Sequence, residues 1–128
     1  MENRVFKRKI YSQMAEWKEI SKGSTALLVE GARRIGKSTI VEEFAKNEYE
    51  SYILIDFNEA SKEVKALFDD LMNMDFIFLF LQNAYNKTLH ERKSVIIFDE
   101  VQQCPKARQA IKYLVEDGRY DYIETGSL

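Results

Sequence analysis

The stretch Gly31-Ala32-Arg33-Arg34-Ile35-Gly36-Lys37-Ser38 constrains this chain more than any other. It satisfies G-x-x-x-x-G-K-[ST] and stands between an apolar run, Ala26-Leu27-Leu28-Val29, and a segment whose Ile40, Val41, Phe44 and Ala45 recur at helical spacing from Gly36 to about Asn47. A strand feeding a helix through such a loop is built to wrap an anion. Gly31 and Gly36 leave room where backbone N–H groups must close on a phosphate. The helix that follows begins with unpaired N–H groups and a partial positive charge. Lys37 adds a point charge toward the β- and γ-phosphates of a nucleotide, and the Ser38 hydroxyl suits the shell of Mg²⁺. Thr39 is a weaker candidate for the α-phosphate. Ala32, Arg33, Arg34 and Ile35 complete the nucleotide-binding loop, with the Arg33 and Arg34 side chains, at its tip, expected to point to solvent. An ordinary glycine turn with a solvated lysine is the blander alternative, and the strand and helix on either side argue against it.

The rest of the chain repeats that alternation. Ile10, Tyr11, Met14 and Trp17 predict an amphipathic helix over 7–20, ending near Gly23. Tyr52-Ile53-Leu54-Ile55-Asp56 predicts a second strand and Val95-Ile96-Ile97-Phe98 a third, while Tyr120 to Thr125 predicts a fourth. Between them, Ser61 caps a helix carrying Val64, Leu67, Phe68 and Leu71, and Asp75 caps another carrying Ile77, Phe78, Leu81, Ala84, Tyr85, Thr88 and Leu89. Pro105 opens a last helix with Ala107, Ile111, Leu114 and Val115, closed by Gly118. Short apolar strands separated by helices specify an α/β fold: a parallel sheet sandwiched by helices with right-handed crossovers. The apolar residues 76–81 are expected to cover the sheet.

The third strand ends in Asp99-Glu100, so two carboxylates stand at the carboxyl end of a buried strand, where open α/β sheets bind ligands. Beside the loop, Asp99 is assigned to the metal, and Glu100 to the general base that polarises water for attack on the γ-phosphorus, with Lys37 as its catalytic partner on the phosphates. Guanine is disfavoured, because Asn86-Lys87-Thr88-Leu89 lacks the aspartate that would read it and no glycine stands three residues after Asp99. ATP with Mg²⁺ is the nucleotide expected by elimination.

Composition excludes other classes. A net charge of -2 gives no support to nucleic acid binding, since the basic residues are spread among acidic ones. A lone cysteine, Cys104, excludes an internal disulfide or a Cys-rich zinc site, as a cytoplasmic protein permits. No apolar stretch is long enough to form a membrane span, and the charged N-terminus lacks the core of an export signal. His90 and the Arg4-to-Lys9 cluster are expected to be solvated, and Cys104 inert. Self-association or a protein partner stays open.

With its motifs placed, the chain resembles the AAA+ superfamily of P-loop ATPases that carry a catalytic glutamate after the strand aspartate. Within it, the likeness is to bacterial and archaeal predicted ATPases with an additional C-terminal domain. It rests on Lys7-Arg8-Lys9-Ile10 before Trp17, the glycine loop, Phe98-Asp99-Glu100-Val101-Gln102 with Pro105, and Thr125-Gly126-Ser127. The resemblance implies one ATPase domain over 1–128, with 1–22 as an N-terminal helical extension. It also implies that the fourth strand lies between the two motif strands with a polar sensor at its end, Thr125 or Ser127; a plain Thr-Gly-Ser turn is the alternative. Such chains continue into a fifth strand and an arginine-bearing segment, so the sheet is expected to be incomplete at its C-terminus, truncated after the fourth strand, and no arginine finger is assignable. Two functions stand: a Mg²⁺-dependent ATPase driving an unidentified effector, and a module that holds ATP without efficient hydrolysis. A small P-loop kinase would need an acceptor site and an Arg-rich lid, and the sequence offers neither.

Overall fold

The computed structural model describes residues 2–31 and 36–127, with the side chains of residues 2 and 3 left out of the description. Ala32, Arg33, Arg34 and Ile35 of the glycine loop lie outside the described residues. The chain runs α1 (Glu2–Ser21), β1 (Leu27–Gly31), α2 (Lys37–Glu48), β2 (Ser51–Asp56), α3 (Lys62–Ala66), α4 (Met74–Tyr85), β3 (Ser94–Asp99), α5 (Pro105–Asp117) and β4 (Asp121–Ser127), with single 3₁₀ turns after α3 and β3.

The strands form one sheet in the order β1-β4-β3-β2, every pairing parallel. Strand β4 therefore sits between the strands that carry the two motifs. Side chains alternate across the sheet as the pleat requires. Val95, Ile97 and Ile123 face Ile40, Val41 and Phe44 of α2 and Met14 of α1. Ile96, Phe98 and Tyr122 face Ile77, Phe78 and Leu81 of α4 and Ala107, Ala110, Ile111 and Leu114 of α5. Both faces of β3 are covered, so all its residues are buried, which is why its sequence is continuously apolar rather than alternating.

Helix α2 thus leaves β1 toward one face, and α5 leaves β3 toward the other. Helices that depart to opposite faces leave a crevice at the carboxyl ends of the strands between them. Lys37, Ser38, Asp99, Glu100, Thr125 and Ser127 all lie there.

Several boundaries differ from expectation. Asn73, not Asp75, caps α4: its side chain accepts from the Phe76 N–H at 3.0 Å, while Asp75 pairs with Arg119 at 2.7 Å. That helix stops at Tyr85 because Asn86 turns left-handed at φ 53°, so Thr88 and Leu89 fall outside it. Ser61 caps α3 as expected, accepting from Val64 N–H, but the helix is short and tightens into a 3₁₀ turn at Leu67–Asp69. Thr125-Gly126-Ser127 completes β4 and pairs with Val29-Glu30-Gly31, so the plain-turn reading is wrong. Of residues 76–81, Ile77, Phe78 and Leu81 are buried, and Phe76 and Leu79 are exposed.

Candidate phosphate and water site

Gly36 stands immediately before α2 at φ 74°, a left-handed conformation that a side chain would strain. It turns the chain so that Lys37 begins the helix, and no acidic residue occupies the first turn of α2. Lys37 is 2% exposed. Burying an ammonium is costly unless it is paired, and here its Nζ lies 3.1 Å from Glu100 Oε1 and donates to Ser127 Oγ at 2.8 Å.

Glu100 is held from every side. Ser127 Oγ donates to its Oε1 and Gln102 Nε2 to its Oε2, both at 2.6 Å. Burial pushes its carboxyl pKa upward, but the hydrogen bonds from Ser127, Gln102 and Lys37, with the Lys37 charge, prevail and lower it to about 2. Its backbone is left-handed at φ 55°, costly for a residue with a Cβ. The strain is held by Thr125, whose Oγ1 accepts from the Glu100 N–H at 2.9 Å. The same Thr125 hydroxyl donates to Asp99 Oδ1 at 2.6 Å, and Ser38 Oγ donates to that oxygen at 2.8 Å.

Thr125 and Ser127 thus divide the work at the end of β4: Thr125 fixes both carboxylate residues, and Ser127 bridges Lys37 and Glu100. Thr39 is exposed in the first turn of α2. Gly31 ends β1 beside Ser127. His90 is exposed, and Cys104 is buried and free.

The donor set at Ser38 and Asp99, a hydroxyl and a carboxylate in direct contact, is all oxygen. That suits a hard cation of the Mg²⁺ kind, which takes few protein ligands and completes its shell with water and phosphate oxygens. Lys37, buried with no side-chain anion but Glu100 among the described residues, suits the phosphates themselves.

The roles of two residues were not anticipated. Gln102 reaches Glu100 only because the left-handed turn at Glu100 folds the chain back on itself, which sequence spacing does not reveal. Lys7, expected on a solvated face, is instead half-buried against the loop: a Cβ built on Gly36 would lie 3.4 Å from Lys7 Cε and 3.8 Å from Nζ.

Comparison with known proteins gives the family and the fold. The profile of a family described as AAA domain matches residues 23–128. A structure of C. elegans PCH-2 is similar in fold, with a TM-score of 0.52 at 17% sequence identity over 95% of this chain. The present chain spans 36% of that one. No curated protein matches. Among the described residues, no helix is long and apolar enough to cross a membrane. The chain belongs to the AAA domain family and is an AAA+ P-loop ATPase-like protein, a nucleotide-binding module of the AAA type.

Proposed function

We propose that the protein binds ATP with Mg²⁺ at the crevice between α2 and β3 and hydrolyses it. The observation that carries this reading is the buried Lys37–Glu100 pair at the N-terminus of α2, with Ser38 and Asp99 in contact beside it. Residues 23–128 form the nucleotide unit in this reading, and residues 1–22 a helical extension docked on α2.

Lys37 and the N–H groups that open α2 hold the phosphates, and Ser38 and Asp99 hold Mg²⁺. The ion, when bound, neutralises charge on the phosphate oxygens. Glu100 orients a water and accepts its proton as the water oxygen bonds to the γ-phosphorus. The bond to the β–γ bridging oxygen breaks, giving ADP and phosphate.

The geometry adds a condition. Paired with Lys37, Glu100 is a poor base, its pKa lowered to about 2. Once Lys37 turns to phosphate oxygens, that neighbouring charge is shared and the carboxylate becomes more basic. Nucleotide binding therefore prepares the base, and Ser127 and Gln102 keep it in position.

The test is phosphate release by wild type and Glu100→Gln. The variant is expected to retain ATP binding and lose release. Unchanged release sinks the base assignment; binding without release in the wild type favours the alternative, a module that holds ATP without efficient hydrolysis. Which effector such a module drives is a separate question of partners.

A further inference from the structure

Lys7 lies outside the residues matched by the family profile, yet the fold delivers it to the phosphate loop. Ile10, Tyr11 and Met14 of α1 face α2, with the Tyr11 ring 5.3 Å from Phe44 and its hydroxyl donating to Glu48 at 2.9 Å. Residues three and four apart share a helix face, so Lys7 continues that packed stripe toward the helix N-terminus. The result is the half-buried Lys7 side chain described at Gly36, its Cε and Nζ within 4 Å of where a Cβ would stand there.

A cation there is electrostatically misplaced in the free protein. The N-terminus of α2 already carries partial positive charge, Lys37 adds a full one, and the first turn of α2 holds no acidic side chain. The Glu100 carboxylate beside them is already engaged with Lys37, Ser127 and Gln102. Among the described residues no ion pair includes Lys7. An anion with several charges at this point turns each of these unfavourable neighbours into an attractive one.

We infer that Lys7 is a further phosphate-binding residue, a second ammonium on the nucleotide's phosphate chain, which ties the docking of α1 on α2 to nucleotide occupancy. This rests on the phosphate-site reading above.

Equilibrium binding of a fluorescent ATP analogue with Mg²⁺, displaced by ATP, tests it on wild type, Lys7→Met, Lys7→Arg, Arg8→Gln and Lys37→Ala, together with melting temperatures without nucleotide. Methionine keeps the aliphatic stem that packs on the helix and removes the charge. The expected result is that Lys7→Met weakens ATP binding about tenfold, Lys7→Arg restores most of it, and the exposed Arg8→Gln leaves it unchanged. The free Lys7→Met protein should melt no lower than wild type. Wild-type affinity in Lys7→Met, with Lys37→Ala impaired, overturns the role of Lys7 and leaves the phosphate site standing. Weakened binding accompanied by a lowered melting temperature of the free protein assigns Lys7 a packing role and also overturns the inference. No binding by folded wild type removes the site and Lys7 with it.

Discussion

Replacing Glu100 by glutamine should destabilise the free protein and be rescued by nucleotide. The substitution removes a carboxylate 3.1 Å from Lys37 Nζ, with both side chains almost fully buried. At that distance and an effective dielectric constant of about 20, the direct attraction is about 5 kcal/mol. Much of it is offset by the desolvation of both ions, but removing one partner leaves the other buried and unpaired, which costs about 3–5 kcal/mol. The amide oxygen can still accept from Lys37, and its N–H₂ must face donors where Oε2 accepted from Gln102, so a loss of about 3 kcal/mol is expected. With a urea dependence of about 1–3 kcal/mol per molar, the unfolding midpoint should fall by about 1–3 M. MgATP restores a counter-charge to Lys37, and in the variant no ion pair has to open first. Saturating MgATP should therefore raise the midpoint more in the variant than in wild type, measured by circular dichroism in urea. Equal midpoints for the two free proteins would refute the reasoning, as would a smaller nucleotide increment in the variant.

The same pair sets a pH dependence. The Glu100 carboxyl is lowered from 4.5 to about 2 in the folded protein, so its contribution to stability is complete above about pH 4.5 and is lost as pH falls toward 2. The stability gap between wild type and Glu100→Gln should shrink between pH 6 and pH 3 in urea titrations, and a constant gap would contradict the shift. Thr125→Val keeps the shape but removes the hydroxyl that binds both Asp99 Oδ1 and the Glu100 N–H. Leaving that buried N–H unpaired beside a left-handed backbone should cost about 1–3 kcal/mol, and phosphate release should fall with it; a variant as stable as wild type would show that Glu100 is held by other contacts.

Much of this fold was legible because the strands are buried on both faces, which makes β3 a continuous apolar run. Helix ends were less legible. Helix α1 begins at Glu2, well before its apolar stripe at Ile10, and the exposed Arg4, Val5, Arg8 and Lys9 between them show no core-facing pattern to read. Asn73 and Asp75 are both good caps by chemistry, and only the path of the chain into α4 selects Asn73. Strand β4 runs on to Ser127 because pairing with β1 continues after its apolar pattern ends. At the site, the glycine loop and the carboxylate pair are local patterns, so spacing revealed them. The roles of Gln102 and Lys7 do not follow from spacing. One depends on a left-handed backbone at Glu100, the other on how α1 lies across α2.

The central claim is that Lys37 belongs to a phosphate-binding site, and equilibrium binding of MgATP to wild type and Lys37→Ala, both checked as folded by circular dichroism, tests it most directly. Saturable binding by wild type, weakened about 10- to 100-fold in the variant by loss of a charge-assisted contact, is the expected result. Equal affinity in the two folded proteins would contradict it.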